Sequence, residues 1–206
     1  MSKIFYIMGK SASGKDKIYK MITGKDKHRK KAPLSHLLKP LVLYTTRPIR
    51  ENEKDGEQYH FVTSDFLELK QKEGKIIERR DYHTVCGIWS YCTLDDGTVG
   101  DDGNSQNYIG IGTLESFVRL REYYKDGTIV PIYIEVSDEK RLKRAMKREA
   151  GQQCPNYKEM CRRFIADSED FSDEKIAAAG ITRVFSNDGK VEDCLKEVEH
   201  FICGEI

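Results

Sequence analysis

The stretch Ile4-Phe5-Tyr6-Ile7-Met8-Gly9-Lys10-Ser11-Ala12-Ser13-Gly14-Lys15-Asp16 decides the fold. Ile4 to Met8 is a short, nearly continuous apolar run, the pattern of a strand buried on both faces of a parallel sheet. Gly9, four residues, then Gly14-Lys15 match the phosphate-binding spacing G-x-x-x-x-G-K. Glycines let the backbone curl tightly enough to aim several N–H groups at one anion. A helical pattern from Lys17 to Ile22 follows, so the positive end of a helix points at the same place. Lys15 adds a mobile charge for the outer phosphates. The residue after the lysine is Asp16, where the pattern has Ser or Thr to hold Mg²⁺. A carboxylate is a good Mg²⁺ ligand, directly or through a water, although it also repels phosphate. We read Asp16 as an altered metal contact.

Around this loop the chain is ordinary in bulk. Its 206 residues suffice for one α/β domain with a proper core. Charged residues make up 33% and hydrophobic ones 38%, with a formal net charge of +1, so no global field selects nucleic acid or an anionic membrane. No run of eighteen apolar residues is present, hence no spanning helix is expected. The N-terminus runs straight into the first strand, leaving no room for a signal peptide, and a cytoplasmic protein is expected. Six cysteines are scattered without a C-x-x-C pair and read as free thiols. The run Gly24 to Lys31 reads as a solvated helix end and loop.

Downstream, Leu41-Val42-Leu43-Tyr44 reads as a second apolar strand delivering Thr45-Thr46-Arg47-Pro48-Ile49-Arg50. Two arginines three apart, on a segment held extended by Pro48, can converge on one anion. Arginine's fork suits a phosphate better than lysine does. A turn from Glu53 to Gly56 leads into Glu57 to Val62, which reads as another strand.

Thr45-Thr46-Arg47-Pro48-x-Arg50, followed by Gly56-x-x-Tyr59-x-Phe61-Val62, resembles the guanylate kinase pattern T-T-R-x-x-R-x-G-E-x-x-G-x-D-Y-x-F-V. The phosphate loop sits correctly upstream. The resemblance implies that Arg47, Arg50 and Tyr59 hold the phosphate of a nucleoside monophosphate. Glu51-Asn52-Glu53 and Gln58 depart from the family's glycine-glutamate and aspartate. These positions shape a turn, and little functional cost is expected. Ile76-Ile77-Glu78 resembles the family's strand ending in F-x-E, whose glutamate accepts hydrogen bonds from guanine. Guanine N1–H and N2–H₂ are adjacent donors, and a carboxylate presents two matched acceptors. Val85 to Thr93 resembles V-H-G-N-Y-Y-G-T, with Tyr91 as the second phosphate-binding tyrosine and Thr93 as the family's hydroxyl.

Leu94 to Asn107 is turn chemistry around Asp95-Asp96-Gly97 and Asp101-Asp102-Gly103-Asn104. Tyr108-Ile109-Gly110-Ile111-Gly112 falls where the family has a strand ending in D-x-D. No aspartate is present, which puts strict guanine selectivity in question or requires another acid. Leu114 to Tyr124 reads as an amphipathic helix and Ile129 to Val136 as a core strand. Ser137 caps a charged helix through Glu149, with Asp138 and Glu139 in its first turn. That helix carries Arg141, Arg144 and Arg148. After a loop, Cys161-Arg162-Arg163-Phe164 begins the return helix. The pair resembles the family's lid, whose arginines match Arg148 and Arg163, with Arg144 and Arg162 as rivals. Ile181 to Asp188 resembles the last core strand, ending in V-x-N-D, where Asn187 falls on the adenine side of the donor. Val191 to Ile202 closes the chain as a helix.

The resemblance implies a three-layer α/β P-loop kinase fold: a parallel core sheet, a mixed α+β monophosphate-binding insertion and a helical lid. The expected single domain divides into core 1–44 and 107–206, insertion 45–106 and lid 144–163. The expected reaction is ATP + GMP = ADP + GDP with Mg²⁺. Gly9, Lys10, Ser11, Ala12, Ser13, Gly14, Lys15, Asp16 and Asn187 would bind ATP; Arg47, Arg50, Tyr59, Glu78, Tyr91 and Thr93 would bind GMP or dGMP. Lys15, Arg47, Arg148 and Arg163 would be catalytic, and Asp16 would meet the metal. No nucleic acid or membrane partner is expected. Two alternatives are a kinase for another monophosphate and a non-catalytic module that binds phosphopeptides with Arg47, Arg50 and Tyr59.

Overall fold

Every side chain of β1 (Ile4–Met8) is buried, and the alternation of the strand sorts them to two sides. Phe5 and Ile7 enter one apolar cluster; Ile4, Tyr6 and Met8 enter another. A pleated strand turns successive side chains to opposite faces, so an unbroken apolar run requires cover on both. The computed structural model describes residues 2–29, 31–51, 53–84, 87–99, 106–124 and 127–206. Val85 and Cys86 of the tyrosine motif, Asn52 and the second acidic turn Asp101-Asp102-Gly103-Asn104 lie outside the described residues.

β1 is the middle of a five-stranded, all-parallel sheet. Its neighbours are β7 (Asn107–Gly112) and β8 (Ile129–Glu135). Beyond them lie β2 (Leu38–Pro40) and β9 (Val184–Ser186). On the Phe5 and Ile7 side, α1 (Lys15–Ile22) contributes Ile18, Met21 and Ile22, and α7 (Val191–Glu205) contributes Leu195, Val198 and Ile202. On the other side α3 (Leu114–Tyr124) contributes Leu114, Phe117 and Leu120, and the short α6 (Asp173–Ala178) packs Ile176 beside them. The expected three layers are present.

The expected strand Leu41–Tyr44 is corrected. The apolar run is shared between two sheets. Leu41 N–H still donates to the Ile109 carbonyl (2.8 Å), then the chain crosses to β3 (Tyr44–Thr45) in a second sheet. Leu41 and Leu43 are buried on the way, which hides the break from a hydropathy reading. The second sheet has the order β4 (His60–Phe61), β3, β6 (Gly87–Leu94), β5 (Ile76–Thr84). The expected strand Glu57–Val62 is thus shorter, because Gly56 to Gln58 are spent on the turn that Gln58 closes by accepting from Lys54 N–H (2.7 Å).

α2 (Ser64–Lys72) starts at Thr63, whose hydroxyl accepts from Phe66 N–H (3.2 Å). It covers one face of the second sheet with Phe66 and Leu67 against Tyr44, Ile76, Cys92 and Leu94. The strand period, with a bulge between Ile76 and Glu78 that reverses the alternation of β5, turns the other set, Thr45, Glu78, Arg80, Tyr91 and Thr93, to the opposite face. That face looks toward the core, since Arg80 reaches Thr113 just past β7.

α4 (Asp138–Ala150) and α5 (Tyr157–Asp170) form a helical pair that projects from the core. Ser137 stands at the N-cap of α4, but its hydroxyl donates to Asp188 Oδ1 (2.8 Å) and makes no cap bond. The return helix starts at Tyr157, earlier than expected, because Asn156 caps it by accepting from Glu159 N–H (3.0 Å). Buried Glu149 closes the intervening turn, accepting from Asn156 N–H (2.6 Å) and Gln152 Nε2 (2.9 Å). No helix among the described residues is long and apolar enough to cross a membrane.

Candidate functional site

The glycine-rich turn joins β1 to α1. Gly14 is the helix N-cap with φ 88°, and a Cβ there would lie 2.5 Å from Asn187 Nδ2. Only glycine meets both demands. Ala12 also sits in the left-handed region, at φ 63°, a strained position of the kind that gathers at functional loops. Asn187 is buried beneath the turn and its Nδ2 donates to the Ser13 carbonyl (2.7 Å). Its side chain is thus committed to the loop backbone rather than presented at the surface.

The crown of the turn is tied from the lid side. Ser11 N–H donates to Asp167 Oδ2 (2.7 Å) on α5. Arg141, fully buried on α4, donates through Nε to the Ser11 carbonyl and through Nη2 to the same Asp167 oxygen, both at 3.1 Å. It also pairs with Asp138, and its guanidinium lies 4.4 Å from the centre of the Phe164 ring. Lys15 Nζ is 3.8 Å from Asp16 Oδ2, and the Asp16 carboxylate is largely exposed.

One cleft of about 310 Å³ runs between α1 and the second sheet. Asp16, Tyr19 and Lys20 line it from the loop helix; Arg47, Arg50, Tyr59 and Tyr91 line it from the other side. Arg47 is buried, and Glu53 grips it with two bonds, Nη1 to Oε2 (3.0 Å) and Nη2 to Oε1 (2.8 Å). Glu53 Oε2 also accepts from Arg50 N–H (2.8 Å), so one carboxylate sets the shape of the whole Arg47–Arg50 segment. The Arg47 guanidinium lies 5.5 Å from the ring centres of both Tyr59 and Phe61. Tyr59 and Tyr91 meet edge to face at 5.5 Å. Burial pushes the Tyr59 phenol up from its ordinary range, so its hydroxyl stays a donor at neutral pH.

Glu78 and Thr93 lie deeper on the same sheet face. Thr93 Oγ1 donates to Glu78 Oε1 (2.9 Å), and Arg80 Nε donates to Glu78 Oε2 (2.9 Å). Glu78, expected to offer its two oxygens to guanine, here accepts on both of them from the guanidinium of the next residue on its face. The missing acids of β7 also have a physical account. Tyr6 fills their space. A Cβ on Gly112 would lie 2.0 Å from Tyr6 Oη, and one on Gly110 would lie 2.8 Å from Tyr6 Cδ2. Tyr6 Oη is held by Ser116 Oγ (3.0 Å), and burial pushes its phenol well above the usual range.

Among the arginines of the α4–α5 pair, Arg144 donates to the Asn187 carbonyl (2.9 Å). Arg162 and Arg163 both pair with Glu159 on their own helix (2.7 and 2.9 Å). Those two arginines hold the Glu159 carboxyl down at about 2. Arg148 is exposed and has no ion-pair partner among the described residues.

The guanylate kinase family model matches residues 1–87. The guanylate kinase of Bdellovibrio bacteriovorus is 31% identical over 94 residues, which are 46% of this chain and 46% of that relative. Through this region the chain is similar to the guanylate kinases. It spans about half the length of that relative. The crystal structure of guanylate kinase from Anaplasma phagocytophilum covers 99% of this chain and 86% of its own, with a TM-score of 0.61 and 14% identity, a likeness of fold. Sequence likeness to the guanylate kinases therefore takes in the loop, Arg47, Arg50, Tyr59 and Glu78. The lid, Tyr91, Thr93 and Asn187 stand beyond the matched family region.

Two residues that sequence reasoning passed over lie at this site. Asp167 is 156 positions from Ser11 and carried no local signal. Glu53 did carry one: an acid six residues from an arginine expected to hold a phosphate. Little functional cost is expected from the departures in this turn, and Glu53, on the glutamate of the quoted pattern, is the residue there that orients Arg47. The hydrogen bonds from Arg47 hold the Glu53 carboxyl below the usual carboxylate range. A depressed carboxyl stabilises the fold above its unfolded value of about 4.3 and loses that contribution as pH falls through the folded value. Glu53→Gln should therefore cost about 2 kcal/mol at pH 7, with the gap to wild type narrowing toward pH 3. Urea denaturation at both values checks this; a gap of equal size at pH 3 would remove the charge from the account.

Proposed function

We propose that the protein transfers the γ-phosphoryl group of ATP to a nucleoside monophosphate, with GMP or dGMP as acceptor, giving ADP and GDP. The observation that carries this reading is the single cleft whose walls are the phosphate-loop helix and the Arg47–Tyr59–Tyr91 face. Two polyanions can meet there end to end. In this reading the core (1–44 and 107–206) holds the donor, residues 45–106 hold the acceptor, and residues 144–163 close over both.

The chemistry needs no protein nucleophile, because the acceptor is already a phosphate oxygen; catalysis is alignment and charge neutralisation. Lys15 and the turn amides other than those of Ser11 and Ser13, which are bonded within the protein, would hold the donor phosphates, with Asn187 keeping the turn in shape from below. Arg47, pre-set by Glu53, would take the acceptor phosphate together with Arg50 and the hydroxyls of Tyr59 and Tyr91. Arg148 and Arg163 would arrive with the lid, Arg144 and Arg162 being the rivals. Arg162 and Arg163 must first leave Glu159, at a cost of about 1 kcal/mol or less per exposed pair. Among the described residues no group of three or more His, Cys, Asp or Glu could hold a metal. That donor set fits a Mg²⁺ held mainly by the nucleotide's own phosphates, with the exposed Asp16 as the protein's carboxylate. When bound, the ion would neutralise charge on the transferring phosphoryl group.

A coupled ADP-release assay across GMP, dGMP, AMP, CMP and UMP tests the reading. Turnover with GMP is expected. Absence of turnover with every acceptor would overturn it, and a preference for another base would move the acceptor assignment.

A further inference from the structure

Glu78 and Arg80 alternate along β5 and so share one face with Thr93 and Tyr91 across the strand pair. Their side chains are 2% and 10% exposed. Glu78 accepts from Arg80 Nε (2.9 Å), Thr93 Oγ1 (2.9 Å) and Arg80 Nη2 (3.4 Å). Arg80 Nη1 donates to Thr113 Oγ1 (3.2 Å), and Thr113 and Ser116 share a bond that leads on to Tyr6. Both ends of the pair are thus anchored, one on each sheet. Burial opposes the charge on Arg80, and the Glu78 carboxylate beside it more than restores it. Breaking the pair inside the protein would strand two buried charges.

A carboxylate held this way is a poor reader of a base's donors. A guanidinium has five N–H groups, and these bonds use three of them, one at Nε and one at each terminal nitrogen. The two that remain are donors on a residue set directly across the strand pair from Tyr91, which lines the cleft, so a base seated past Tyr91 would meet groups that select acceptors. A purine with an oxygen at C6 offers O6 and N7, which match an arginine fork; a 6-amino purine offers a donor at that edge instead. No acid on β7 can compensate, because Tyr6 occupies the space that a side chain at Gly110 or Gly112 would need.

We propose that Arg80 is the specificity-determining residue for the acceptor base. It selects 6-oxopurines by their acceptor edge, and the 2-amino group that separates guanine from hypoxanthine goes largely unread. This rests on the monophosphate kinase reading above. The test compares kcat/KM of the wild-type protein for GMP, IMP and AMP. GMP and IMP should lie within tenfold of each other, with AMP more than tenfold below both. A GMP-to-IMP ratio of tenfold or more would overturn the proposal, as would AMP within tenfold of GMP, while the kinase reading stood. No turnover with any monophosphate would remove the kinase reading and this inference with it. Arg80→Met releases Glu78 to face the base, so in protein that keeps its cooperative unfolding the GMP-to-IMP ratio should rise and AMP discrimination should fall. Unchanged ratios in folded Arg80→Met would also overturn it. The wild-type comparison decides the matter even if that variant does not fold.

Discussion

Lys15→Ala is expected to lower kcat for ADP release by a hundredfold to a thousandfold, the usual scale for deleting one preorganised group at developing charge. The lysine leaves a backbone that does not depend on it. Gly14, Ala12 and the Asn187 bond to Ser13 set the turn without its ammonium. Its ion pair with Asp16 is long, at 3.8 Å, and the partner is 76% exposed. Such a pair contributes about 1 kcal/mol at most. Activity and stability should therefore separate: a large fall in turnover with a midpoint of thermal unfolding within a few degrees of wild type. A variant that keeps turnover within threefold would take the loop out of the proposed reaction.

The largest stability effect should come from Gly112→Ala. Gly112 has no unusual backbone angle; its requirement is space. The added methyl would lie 2.0 Å from Tyr6 Oη, 2.8 Å from Tyr6 Cζ and 2.9 Å from Ser116 Oγ. Tyr6 cannot step aside, because it is fully buried in the central strand and bonded to Ser116. Overpacking of this kind costs about 1–3 kcal/mol, and loss of the Tyr6–Ser116 bond adds about 1 kcal/mol more. A total of about 2–4 kcal/mol is a large share of the ~5–15 kcal/mol that holds a typical domain together. Combining Gly112→Ala with Tyr6→Phe removes the closest contact, so the pair should cost less than the sum of its parts. A single-variant cost under 1 kcal/mol, read by urea denaturation, would mean that Tyr6 is not fixed there.

Much of the strand–turn–helix around Gly9 to Lys15 was legible because it is local. An apolar run, a glycine spacing and a helical period each depend on residues a few positions apart, and β1, the turn and α1 follow them closely. The paired arginines were legible for the same reason. What sequence reading missed depends on distance through space. Leu41 to Tyr44 looked like one strand because burial at a junction between two sheets has the same hydropathy as burial in one. Glu78 looked open because the period of two that sets Arg80 beside it also fits an outward-facing arginine.

By itself the sequence determined that a glycine-rich turn lies between a two-sided strand and a helix, since backbone conformation and alternation are written into neighbouring residues. Only the tertiary structure decided what surrounds that turn. Asp167 reaches Ser11 from the far end of the chain, Tyr6 takes the room that two glycines leave, and Arg80 closes on Glu78. Each is a matter of which side chain fills a given volume or neutralises a given charge, and packing settles that after the chain has folded back on itself.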